Sequence, residues 1–185
     1  MLFHLSIIQY VASLQAAKAA VATTVPVPVD GQSKIHRACF DESPALHCYS
    51  GGNDIPQNVN VSDVSFIASY LRTYGRQTRI GRLLTMKAAD APNCGEWLLY
   101  STNTAAAYAK KINMTYDSSV LFEDVANTID GGAGVVKQDG IFRCQTDGGS
   151  YGVQANVTAA AYHTPEYVTA GYRTDGIIIK ITANV

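Results

Sequence analysis

Four cysteines, Cys39, Cys48, Cys94 and Cys144, follow an apolar amino-terminal run, and this combination constrains the fold more than any other feature. An even number of cysteines in a chain that leaves the cytosol favours two disulfides, with three pairings open to the sequence. The spacings contain no C-x-x-C or H-x-x-x-H pair, so structural zinc is the weaker use of these thiols, and no metal or cofactor is expected.

The apolar run, "MLFHLSIIQYVASLQAAKAAVATT", ends in small residues with A-x-A patterns at Ala17 to Ala19 and Ala20 to Ala22. Residues 1–22 therefore read as a secretory signal peptide. Gln9 and Gln15 interrupt the run, which falls short of the roughly 20 apolar residues a bilayer span needs. Residues 23–37, "TTVPVPVDGQSKIHR", carry Pro26 and Pro28 and read as a linker or pro-segment, with Lys34 and Arg37 marking a second processing point before Ala38. Residues 38–185 are one domain's worth of chain. A net charge of -1 over 185 residues argues against nucleic acid as a general partner. Sequons at Asn60, Asn113 and Asn156 fit a glycosylating secretory route and an extracellular destination.

From Ser62 the sequence predicts a helix, with Ser62 as its cap, Asp63 in the first turn, and Val64, Ile67, Ala68, Leu71 and Tyr74 at helical spacing up to Gly75 and Arg76. "RLLTMKAA" and "GEWLLYS", separated by "DAPN", predict a hairpin. "TAAAYAKKIN" predicts a short alanine-rich helix, and "SSVLFEDVANTIDGG" a stronger one capped by Ser118 or Ser119 and closed by Gly131. "GIFRCQ", "YGVQANV" and "DGIIIKITANV" read as strands, with "TPEYVTAGY" as a turn or one short helix.

With "LHCYS" as a first strand, the order predicts an α+β fold: an antiparallel sheet with helices on one face, built as a split βαβ-like core plus a C-terminal strand extension. In that topology the first strand lies between the third and fourth. Cys48 then faces Cys94, and Cys39 approaches Cys144.

The succession of an early cysteine pair, the helix "SDVSFIASYL", "NCGEWLLY", the helix "FEDVANTIDGG" and the cysteine-bearing "IFRCQ" resembles small secreted fungal effectors. It is most similar to the extracellular-protein-two, or necrosis-inducing, family and the killer-toxin-like proteins near it. The resemblance implies an exported virulence or toxin-like protein that acts on a host or competitor cell without catalysis. Its partner would be a protein, glycan or membrane component of that cell.

The residues themselves offer few catalysts. Gly148, Ser150 and Gly152 have the G-x-S-x-G spacing of a nucleophile elbow, yet "YGVQANV" alternates like a strand where an elbow needs a helix. "DGGSYG" therefore reads as a glycine-rich hairpin turn. His36, His47 and His163 with Glu42, Glu96 or Glu166 allow an alternative, a small hydrolase of ribonuclease type. For binding, Arg72, Arg76, Arg79 and Arg82 form the one basic concentration, suited to carboxylate or phosphate oxygens. Tyr151, Tyr162, Tyr167 and Tyr172 cluster late in the chain and could add amphipathic contact area, whereas Trp97 reads as core.

Overall fold

The computed structural model describes residues 42–91, 93–132 and 140–185. The expected signal peptide and linker, with His36 and Cys39, lie outside them. The fold is α+β, as expected. Among the described residues the strands form a five-stranded antiparallel sheet and a separate two-stranded one.

The elements run β1 (His47–Cys48), α1 (Val61–Gly75), β2 (Leu83–Met86), β3 (Glu96–Thr102), β4 (Ala105–Lys111), β5 (Ser118–Leu121), α2 (Phe122–Asp130), β6 (Gly149–Gly152), α3 (Pro165–Thr169) and β7 (Ile177–Ala183). The large sheet is ordered β1-β6-β7-β4-β3, and β2 pairs with β5.

Helix α1 forms as its pattern dictates, burying Val64, Ile67, Ala68 and Leu71 and ending at Arg76. Its cap is Asn60 rather than Ser62: the Ser62 N–H donates to Asn60 Oδ1 at 2.9 Å. Asp63 in the first turn accepts from Asn103 Nδ2, Thr104 N–H and Thr104 Oγ1 at 3.0, 3.1 and 2.7 Å, which holds its carboxyl below the usual range and fastens the helix to the β3–β4 turn.

Five local expectations are corrected. "TAAAYAKKIN" is not a helix but strand β4, paired with both β3 and β7. Ala105, Ala107 and Ala109 face the core with no exposure, because a helix packs over them and small side chains let it approach. "RLLTMKAA" does not form a hairpin with "GEWLLYS": β2 pairs with Ser118–Leu121, and β3 turns back into β4 through Asn103, whose φ of 39° suits a tight two-residue loop. Ser118 and Ser119 are therefore buried strand residues, and α2 starts at Phe122 with no side-chain cap. Gly131 does close it, at φ 83°. "GIFRCQ" is a pair of 3₁₀ turns, Ile141–Asp147, kinked at Gln145. "DGGSYG" is not a turn, since its last four residues are strand β6 between β1 and β7.

Among the described residues β1 lies at the sheet edge and pairs with β6 alone, so the split βαβ placement of the first strand fails. The disulfide pairing built on it fails too. Cys48 is bonded to Cys144, with Cα atoms 5.1 Å apart. Cys94 is also disulfide-bonded. Gly149 makes the Cys48–Cys144 crossing possible: a Cβ there would sit 2.5 Å from His47 O and 3.0 Å from Cys144 Sγ.

The main core lies between α1, α2 and the inner face of the large sheet, where Ile177, Ile179 and Ile181 alternate inward. A second cluster docks the C-terminal turn region. Tyr162 Oη accepts the Leu121 N–H at 2.7 Å and donates to the Asp124 carboxylate, and Tyr167 Oη donates to Ser119 O at 2.7 Å.

Candidate functional site

One face of α1 carries aromatics outside its buried stripe. Phe66, Tyr70 and Tyr74 recur every four residues, so they stack along the helix above edge strand β3. β3 shifts register between Leu98 and Tyr100, a bulge that re-aims its side chains toward the helix. The Tyr70 ring lies face to face with Tyr100 at 3.9 Å and parallel to Tyr74 at 6.5 Å, and Phe122 meets Tyr74 edge-on at 4.9 Å.

Between these rings runs an open groove of about 350 Å³, floored by Leu71 and Leu84 and walled by Trp97 and Leu98. Tyr70 and Leu98, which line the groove, remain 41% and 55% exposed, and Phe66, 53% exposed, adjoins it with its ring 6.2 Å from that of Tyr100.

Of the arginine run, Arg82 is the member that reaches a ring of this groove. The Arg82 guanidinium lies over the Tyr74 ring at 4.3 Å, with Nη2 donating to Gln77 Oε1 at 3.3 Å. Arg79 is exposed and makes no hydrogen bond or ion pair among the described residues. Arg76 is held by Glu123, whose hydrogen bond and charge raise the guanidinium further above its ordinary range. Arg72 turns inward to Asp130.

The C-terminal tyrosines do not join this surface. Tyr167 is buried, Tyr172 packs against it with ring centres 5.6 Å apart, and Tyr151 packs on the main core from β6. Burial pushes the Tyr167 phenol up to about 12. Trp97 serves two purposes, half-buried against the core and lining the groove. Phe66 and Tyr70 were not evident as site residues from sequence; their signal is the i, i+4 spacing of aromatics displaced from the Val64, Ile67, Leu71 stripe.

A second, polar cleft of about 330 Å³ opens on the outer face of the sheet. Here Ser150 sits in register between His47 on β1 and Lys180 on β7. His47 Nε2 lies 3.2 Å from Asp54, and Glu42 lines the same cleft, whereas His163 contacts Val157 O elsewhere. Lys180 donates to Glu96 at 2.6 Å and lies 3.7 Å from Glu42, which also pairs with Lys110. Burial alone would lower the Lys180 ammonium, but the Glu96 hydrogen bond and the surrounding negative charge hold it above its usual value. Burial raises the Tyr49 phenol, with Lys180 and the Ser150 hydroxyl opposing. Neither group is shifted toward a free base at neutral pH, and Ser150 lies on a strand rather than at an elbow.

Among the described residues, no helix is long and apolar enough to cross a membrane, and no cluster of three or more His, Cys, Asp or Glu side chains could hold a metal ion. No protein-family model matches the chain, and neither comparison, with curated proteins or with solved structures, finds a match.

Proposed function

We propose that this chain is an exported, effector or toxin-like protein that acts by binding a component of a host or competitor cell, without chemistry of its own. The observation that carries the reading is the aromatic groove between α1 and β3, with Phe66, Tyr70 and Leu98 left exposed and the Arg82 guanidinium over the Tyr74 ring. Flat rings accept apolar faces at low entropic cost, and arginine forks accept carboxylate or phosphate, so the surface suits a partner that presents both. The disulfides support the extracellular part of the reading, as does the resemblance to secreted fungal effectors.

The test is capture from the soluble extracellular and membrane fractions of candidate target cells, comparing the native chain with the Tyr70→Ala/Tyr100→Ala variant. A partner retained by the native chain and lost by the variant supports groove binding. Equal retention by both removes it.

A second reading, a small hydrolase of ribonuclease type, attaches to the polar cleft, because His47, held by Asp54, shares that cleft with Glu42 and Lys180. Release of acid-soluble fragments from RNA, abolished in His47→Ala, would replace the binding reading with this one.

A further inference from the structure

The three sequons fold into the same local geometry. The Ser62 N–H and Oγ–H both donate to Asn60 Oδ1, each at 2.9 Å. Thr115 does the same to Asn113 at 2.9 and 2.7 Å, and Thr158 to Asn156 at 3.3 and 2.7 Å. In each case the carboxamide oxygen is turned back onto the chain, so the nitrogen Nδ2 occupies the opposite side.

What lies on that opposite side differs. Asn60 and Asn156 are exposed, and their Nδ2 atoms have no hydrogen-bond acceptor among the described residues. Asn113 is half-buried. Its Cβ and the Tyr116 ring both stand 3.1 Å from where a Cβ on Gly176 would be, which places the two side chains against the same glycine. Tyr116 is itself fixed by Asp175 at 2.6 Å and covered by the Arg173 guanidinium at 4.4 Å.

We infer that Asn60 and Asn156 carry N-linked glycans in the exported protein and that Asn113 stays bare. The inference rests on the export proposed above. The donor is an oligosaccharide linked through diphosphate to a membrane lipid. Asn Nδ2 forms a bond to the anomeric carbon, the carbon–oxygen bond to the diphosphate breaks with its electron pair leaving on oxygen, and one Nδ2 proton passes to the transferring enzyme's base.

The product keeps Oδ1 as an acceptor, so the α1 cap at Asn60 and the Asn156 turn survive modification. A sugar on Asn113 would instead displace Tyr116 from Asp175 and Arg173. Neither Asn60 nor Asn156 lines the aromatic groove or the polar cleft, so both surfaces remain open.

The test is mass mapping of the full chain secreted from a eukaryotic host, made once behind its own leader and once behind a heterologous secretion signal. Release of glycans by an amidase that leaves aspartate in heavy-oxygen water marks each occupied position. Aspartate is expected at Asn60 and Asn156 and unmodified asparagine at Asn113. Ser62→Ala should remove one glycan, Thr158→Ala the other, and Thr115→Ala none. These substitutions leave each asparagine and its backbone hydrogen bond in place. A glycan on Asn113 of folded, secreted protein, or a bare Asn60 or Asn156 behind the heterologous signal, overturns the assignment. Occupancy at Asn60 and Asn156 behind the heterologous signal alone supports the site assignment while removing the export reading.

Discussion

Arg72 Nη2 donates to both carboxylate oxygens of Asp130, at 2.7 and 2.9 Å, and so ties the last turn of α1 to the last residue of α2. Both side chains are nearly out of solvent, 11% and 13% exposed, and Arg72 Nη2 also donates to Asn127 Oδ1 at 3.1 Å. Arg72→Ala strands a desolvated carboxylate and is expected to cost about 3 kcal/mol in urea unfolding. A double-mutant cycle with Asp130→Ala should return a coupling of about 1–3 kcal/mol. Additive losses would mean that the pair does not join the helices.

Lys111, at the end of β4, has no exposed surface and donates to Ser118 Oγ at 2.8 Å. Burial lowers its ammonium below the ordinary 10.5, with Asp117 and Asp175 opposing. Folding thus pushes a proton off this lysine, and the stability it costs is recovered as pH rises through the lowered folded value toward 10.5. Ser118 Oγ also donates to Asp175 O at 2.6 Å, so it stays bonded when the amine is removed. Lys111→Met should therefore be as stable as the native chain near neutral pH, or about 1 kcal/mol more so, and should lack the rise with pH. Unfolding midpoints across an alkaline series decide it.

Tyr116 and Tyr167 act with the opposite sign. Burial pushes both phenols up to about 12, against an ordinary 10.0. Above 10.0 the unfolded chain releases phenol protons that the folded chain keeps, so stability falls as pH rises toward 12. The expected result is phenolate absorbance from these residues that appears only together with loss of structure. Smooth titration of every tyrosine near 10.0 in the folded protein would contradict their burial.

The Cys48–Cys144 bond closes a loop across a sequence separation of 96. On the chain-entropy account, Cys48→Ser/Cys144→Ser should lose about 4 kcal/mol. Non-reducing peptide mapping should recover the Cys48 and Cys144 peptides as one species. A Cys48–Cys94 species would overturn the pairing.

Gly149 and Gly52 give a matched contrast. A Cβ at Gly149 would collide with His47 O at 2.5 Å, whereas at Gly52 it would meet nothing within 4 Å. Gly149→Ala should cost about 2 kcal/mol or more by prising β1 from β6, and Gly52→Ala should stay within about 0.5 kcal/mol of the native chain. Thermal melts of the two variants provide the comparison.

Helix α1 was legible because its buried residues recur at 3.6-residue spacing regardless of what they pack against, and β7 because a β-branched run such as Ile177 to Ile179 fits a pleated sheet and little else. Strand β4 was illegible for the converse reason. Alanine favours a helix by only a few tenths of a kcal/mol per residue, and pairing on both sides with β3 and β7 outweighs it. The candidate site was half legible. The arginines stood out as a charge run, but Phe66 and Tyr70 read as ordinary residues of a solvated face until the β3 bulge set Tyr100 against them.

What the amino-acid order determined by itself is local: α1 and its terminus, the left-handed stop at Gly131, the strand character of β2, β3 and β7, the sequons, and an even set of cysteines. Which strand each strand pairs with, which cysteine meets Cys144, and which aromatics share a groove were decided only by tertiary structure. Periodicity specifies the face a residue must bury, but not the partner that covers it. The partner follows from closing one core over α1 and α2, where a single edge placement for β1 brings Cys48 to Cys144.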